Sequence, residues 1–196
     1  PVRPAAEHRI VCLTPSSTEL VAAIGGQPWI IAVDQFSIFP PAVRQLPKVG
    51  DFLSPNVEAI LALHPDIAVL DAVQESIART LNSAGIRSIA LPMQTIEDIR
   101  AAFVTLGREL GLSAQAGAAL AALDEDVAST TMTVATAIAR SGRRARALFV
   151  VDRQPGGLAS LIAAGPGTYI DELLRRAGAD NVLADSPVRY PKISAE

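Results

Sequence analysis

The sequence predicts an α/β protein of two lobes joined by one long helix. Three observations lead there. Short apolar stretches alternate with helical patterns at the spacing of strand–helix–strand units, which favours mostly parallel sheets with helices on their faces. A stretch from 113 to 141 holds no proline and one glycine, Gly117, and it breaks that alternation in mid-chain. The order of elements before this stretch is then echoed after it. The expected organisation is an N-terminal lobe over 9–111, a linking helix over 112–142 and a C-terminal lobe over 143–196. The second lobe has roughly half the residues of the first, so it is expected to be truncated at its C-terminal end.

Taken in order, residues 1–8 form a Pro-rich polar tail, and "RIVCL" is an apolar strand ended by Thr14 and Pro15. Ser16 with Glu19 three residues on is a capping-box pattern that opens the helix "ELVAAIG", which Gly25 and Gly26 stop. "WIIAV" is the next strand, and Asp34 begins a loop through Phe36, Phe39, Pro40 and Pro41. Ser54 is the expected N-cap of "NVEAILAL", with Pro55 at the first helical position, where its missing N–H costs nothing. "DIAVL" and "IRSIAL" read as strands around the helix "ESIARTLNSAG", and Thr95 with Asp98 opens "IEDIRAAFVTLGRELG". Beyond the long helix come a strand "RALFVV", a loop "DRQPGGLASLIAAGPG", the helix "TYIDELLRRAG" and a short strand around "NVLAD". The echo pairs Thr18, Gly25, Asp34 and the helix start at Glu58 with Thr168, Gly178, Asp185 and the final Ser194, Ala195 and Glu196.

Composition narrows the function. With 49% hydrophobic residues among 196, the chain can bury one large core or two small ones. Net charge is −3, and the 17 Lys and Arg are scattered apart from Arg143, Arg144 and Arg146, which argues against a nucleic-acid face. No apolar run approaches the roughly 20 residues of a membrane span. Cys12 is the only cysteine and lies in an apolar strand, so a disulfide or Cys-based metal site within the chain is excluded and a buried thiol is expected. His8 in the tail and His64 at a turn make no metal-chelating set. "TPSST" is not a G-x-S-x-G elbow, and "GPGT" before a helix lacks both the dinucleotide spacing and a Walker lysine. No catalytic residue is expected, and a nucleotide-binding α/β enzyme is only a distant alternative.

"RIVCLTPSSTELVAAIG", "FPPAVRQLPKVGDFLSPNVEAILALHPDIAVL" and "GTYIDELLRRAGADNVLAD" resemble the substrate-binding proteins of bacterial ABC importers for vitamin B12 (cobalamin), haem and ferric siderophores. The resemblance runs from Arg9 to Glu196, and "VGDFLSPNVEAI" is most similar to the B12-binding branch. It implies two α/β lobes bridged by a single rigid helix, with a small-molecule ligand in the cleft between them. It also implies a non-enzymatic transport role at the periplasmic or extracytoplasmic face; the sequence starts at Pro1 without a charged-then-apolar leader, so a signal peptide either was removed or never existed. No resident cofactor is implied, the cargo being a corrinoid, or else a ferric siderophore or haem.

The resemblance makes Glu58 and Glu196 the carboxylates that dock onto the permease subunits, one from each lobe. A carboxylate on a helix's first turn is favoured by the helix dipole, so the placement is physically sound. Ligand contacts are expected from loops at the facing sheet edges: Thr14, Pro15, Ser16, Asp34, Phe36, Phe52 and Asp71 in the first lobe, and Arg153, Arg189 and Tyr190 in the second. Phe36, Phe52 and Tyr190 offer flat surfaces to a corrin or porphyrin, and the two arginines suit propionate, phosphate or carboxylate groups. Tyr190 is the residue best placed to ligate iron. One departure stands out: Trp29 is the only tryptophan and falls on a strand, so an indole-rich corrin site is not visible.

Overall fold

A computed structural model describes residues 8–153 and 160–194. The chain divides into two compact units, one running to Met93 together with Asp98–Ala121, the other comprising Gln94–Glu97 and the chain from Ala122 onward.

The first unit begins with β1 (Ile10–Cys12), α1 (Pro15–Ala23), β2 (Ile30–Val33), α2 (Val57–Ala62) and β3 (Ile67–Asp71). It continues with α3 (Glu75–Ser83), β4 (Arg87–Leu91) and most of α4 (Ile96–Glu109). Its four strands form one parallel sheet in the order β2-β1-β3-β4, with Ile10 level with both Ile30 and Ile67. Strands covered on both faces need continuous apolar runs, and β1 and β3 supply them: every residue of each is buried. Val11, Leu13, Ala32, Ile60, Leu70 and Leu81 form the centre of the core. Gly107 lets α4 approach α5 (Ser113–Ser141), since a Cβ there would lie 2.5 Å from the Cβ of Ala116. Because the strands are parallel, the residues that follow β1, β2 and β3 emerge at one edge of the sheet.

The division between units falls within α5, a helix of 29 residues against a typical length of about 11. The second unit adds β5 (Ala145–Ala147), β6 (Val150–Arg153), β7 (Leu161–Ala163), α6 (Tyr169–Arg176), β8 (Ala179–Asn181) and β9 (Lys192–Ile193). β5 and β8 pair in parallel, as a strand–helix–strand echo of β1 and β2 requires. "RALFVV", read as one strand, is two, and its second half heads an antiparallel sheet in the order β6-β7-β9. The physical reason is connection length: seven residues separate Arg153 from Leu161, enough for a hairpin but short of the dozen or so that a parallel crossover needs. Gly178 packs the end of α6 against α5, where a Cβ would lie 2.7 Å from Val134 Cγ1.

Two helix starts differ from expectation, both for reasons outside the local pattern. α1 is capped by Thr14, not Ser16, and Ser17 closes the box that Glu19 was expected to close. A residue before proline is driven to extended backbone, so Thr14 is the last non-helical residue and Pro15 the first helical one. α2 is capped by Asn56, not Ser54, because Pro55 bridges Gly50 and Asn56 N donates to Val49 O at 2.8 Å, holding both residues extended.

Candidate functional site

Three loops at the C-terminal ends of the first unit's strands carry most of the expected ligand residues. At the end of β1, Thr14 is buried, with Pro15 and Ser16 half-buried. Ser17 N donates to Thr14 Oγ1 at 3.0 Å, and Thr14 N donates to Ser17 Oγ at 3.2 Å. Thr18 does not open the helix but contacts the next loop, its Oγ1 lying 2.8 Å from Ser37 Oγ.

After β2, Asp34 is buried and organises the loop 34–39 from beneath. It accepts from the Ser37 hydroxyl and, at 2.8 Å, from Phe36 N, while Lys48 Nζ donates to Ser37 O at 2.7 Å. With its polar groups satisfied inward, the loop turns its apolar side chains out: Phe36 and Ile38 are each 60% exposed, and Phe39 nearly as much.

The loop 50–55 is closed on itself. Gly50 has φ 97°, and a Cβ there would lie 2.5 Å from Ser54 O and 2.8 Å from Asn56 N, so only glycine fits. Asp51 Oδ1 accepts from Leu53 N at 2.9 Å and from Ser54 N at 2.8 Å, an Asx turn that lifts Phe52 and Leu53 to the tip. Leu53 is 86% exposed. After β3, buried Asp71 and Gln74 form a reciprocal cap around exposed Val73. Burial raises the Asp71 carboxyl above the usual range and the Asp98 carboxylate adds to this, while the Val73 N–H offsets part of it. The loops are laced together: Gln35 N donates to Gly50 O at 2.8 Å, and Gln74 Nε2 donates to Phe52 O at 2.8 Å.

Thr14, Pro15, Ser16, Asp34, Phe36, Phe52 and Asp71 therefore share one edge of the first unit, with Thr14, Asp34 and Asp71 buried beneath the exposed Phe36 and Phe52. Ile38 and Val73 fall within the loop segments expected to meet ligand, 34–39 and 71–74, without being singled out, Leu53 lies one residue past the expected Asp51 and Phe52, and the lacing by Gln35 and Gln74 was not foreseen. The apolar three had a signal, being large hydrophobics in loops bounded by Asp and Pro, where polar residues are the norm. The two glutamines had none, since their partners are distant in sequence.

In the second unit Arg189 and Tyr190 precede β9 and lie beside the turn 165–168. Gly165 N donates to Arg189 O at 2.7 Å, and a Cβ on Gly165 would meet Val188 O at 2.7 Å. Thr168 caps α6 as expected, accepting from Asp171 N and donating to Gly165 O at 2.9 Å. The Gly165 amide and the Thr168 hydroxyl are thus engaged internally, which speaks against "GPGT" as a phosphate cradle. Arg153 is exposed at the end of β6.

Glu58 is exposed on the first turn of α2, just after the loop 50–55. Glu196 lies outside the described residues. Cys12 is buried, and burial pushes its thiol up to about 12, so it packs as an apolar residue and is not a reactive thiolate. Among the described residues no group of three or more His, Cys, Asp or Glu is placed to hold a metal ion, and no helix is long and apolar enough to cross a membrane.

Comparison with known proteins matches residues 10–196 to the family described as periplasmic binding protein. The vitamin B12-binding protein of Pectobacterium carotovorum is 27% identical over 191 residues, covering 96% of this chain and 66% of the relative. That of Salmonella typhimurium is 29% identical over 193 residues, covering 97% of this chain and 68% of the relative. A periplasmic heme binding protein from Pseudomonas aeruginosa superposes with a TM-score of 0.85 at 31% identity, over 95% of this chain and 66% of that one. The periplasmic vitamin B12 binding protein of Vibrio cholerae shares the fold, with a TM-score of 0.77 at 24% identity, over 96% of this chain and 71% of that one. The chain spans about two thirds of the length of these relatives.

Proposed function

The chain belongs to the periplasmic binding protein family, and from that premise we propose that it captures a corrinoid and delivers it to the permease of an ABC importer. The observation that carries the reading is the apolar platform of Phe36, Ile38, Phe39, Phe52, Leu53 and Val73, held out by loops whose polar groups are satisfied inward. Exposed apolar surface on hydrogen-bonded loops is what a large flat macrocycle stacks on. Asp51 borders it, and its carboxylate suits an amide N–H donor at a ligand's rim while opposing a carboxylate there. A corrin edged with carboxamides fits that pattern, in line with the B12-binding proteins among the relatives. Thr14, Pro15, Ser16 and Asp34 support the platform from below. The bound molecule is cargo rather than a resident cofactor, and the protein performs no catalysis.

A second reading, haem, is favoured by the exposed Tyr190 beside Arg189 in the second unit, a phenol for iron and a guanidinium for a propionate, with Arg153 as a further cation. A ferric siderophore would use the same arginines. Glu58 is proposed to dock on a permease subunit at the extracytoplasmic face, with Glu196 as its counterpart in the second unit. Such rim charges fix orientation and speed encounter more than they add affinity.

The test is titration of the purified protein with cyanocobalamin and, separately, with haemin, followed by visible absorbance. Saturable one-to-one binding of cobalamin with no Soret shift from haemin supports the corrinoid reading. A haem complex without cobalamin uptake overturns it in favour of the second.

A further inference from the structure

Gln74 is nearly fully buried, and the same amide reaches two loops. Its Oε1 accepts from Asp71 N at 3.1 Å, and its Nε2 donates to Phe52 O at 2.8 Å, joining segments 22 residues apart. Only this orientation of the amide satisfies both partners, because one is an N–H and the other a carbonyl. The loop 50–55 is otherwise fastened at its base, through Gly50 O and Asn56 N, to itself, through Asp51 Oδ1, and to the loop 34–39 by a long contact of 3.4 Å from Gln35 Nε2 to Asp51 Oδ2. Phe52 O is the backbone point near its tip where a buried side chain of a neighbouring loop takes hold, at the shorter distance of 2.8 Å.

We propose that Gln74 is a positioning residue for the apolar platform: it fixes Phe52 and Leu53 against Val73 and so sets the surface that the ligand meets. That second half rests on the ligand reading above. The strap needs an acceptor and a donor at opposite ends of one planar group, which glutamine supplies. Gln74→Glu keeps the acceptor for Asp71 N but sets a carboxylate oxygen against Phe52 O. Gln74→Met keeps the volume and loses both bonds. In either variant the Phe52 carbonyl loses its buried partner and must turn toward water, carrying its side chain with it.

The deciding measurement is amide hydrogen exchange at Leu53 and Ser54 in both variants, alongside cobalamin dissociation. Exchange at these two amides is expected to speed up about tenfold, with the Leu13 amide of the sheet unchanged. Unchanged exchange at Leu53 and Ser54 overturns the strap, and equal acceleration at Leu13 overturns its local character. Should Gln74→Glu fail to fold, Gln74→Met decides alone. Where the wild type binds cobalamin, dissociation about tenfold faster from the variants is expected, and equal rates overturn the role in binding. Where the wild type binds none, the ligand reading has failed separately, and the exchange data still uphold or overturn the strap.

Discussion

β1 and β5 open the two units with the same local plan and end in opposite environments. β1 leads directly, and β5 by way of β6 and β7, to a threonine-capped helix, a glycine at positive φ and a parallel partner strand: Thr14, Gly25 and β2 in one unit, Thr168, Gly178 and β8 in the other. β1 lies between β2 and β3, and all three of its residues are buried. β5 pairs only with β8 among the described residues, its first two residues are exposed, and so are Leu148, Phe149, Val150 and Val151 beyond it. The contrast separates two kinds of stabilisation. Caps and turns form from chain-local chemistry in either setting, whereas the hydrophobic contribution waits for a neighbour on each side.

Core truncation should expose that difference most strongly. Leu70→Ala removes a fully buried side chain from β3 and is expected to cost about 2–5 kcal/mol. Val151→Ala in half-exposed β6 should cost less than about 1 kcal/mol. Urea midpoints for the two variants measure this, and similar losses would break the comparison. The caps should behave alike instead: Thr14→Ala and Thr168→Ala each lose the N-cap bond and a further hydroxyl bond, to Ser17 Oγ and to Gly165 O respectively, and about 1–2 kcal/mol. A near-zero effect at Thr168 alone would show that α6 depends on its surroundings more than on its cap.

How much of this was legible follows the same line. The alternation of strands and helices, the long helix, the buried Cys12 and the Thr168 cap all rest on local pattern, and all are present. The caps expected at Ser16 and Ser54 moved to Thr14 and Asn56. In the first case Pro15 dictated the backbone before it, and in the second a bridge to Gly50 held the chain extended. β7 escaped notice because three residues carry no readable period. The platform was half legible: Phe36 and Phe52 stood out as loop aromatics, but only three-dimensional lacing shows that they face outward.

The smallest expected effect concerns Asp71. Its raised pKa means that the folded state binds a proton more tightly than the unfolded chain does. The associated stability is present below about pH 4, the ordinary range for Asp, and is lost as pH rises through the folded value. Asp71→Asn keeps an acceptor for Val73 N and removes the charge. The variant should match the wild type in acid and become modestly more stable toward neutral pH. Urea midpoints across that range check the sign, and a wild type that gains on the variant as pH rises would contradict it.

On the proposed function, the exposed aromatics of the first unit are a binding surface and not surplus core. Cobalamin titration of Phe36→Ala/Phe52→Ala against wild type, with thermal unfolding of both, tests it most directly. A binding surface requires at least about a tenfold loss of affinity with little change in Tm, since both rings are substantially exposed. Unchanged affinity accompanied by a marked drop in Tm would show that the rings plug the sheet's edge, and would contradict it.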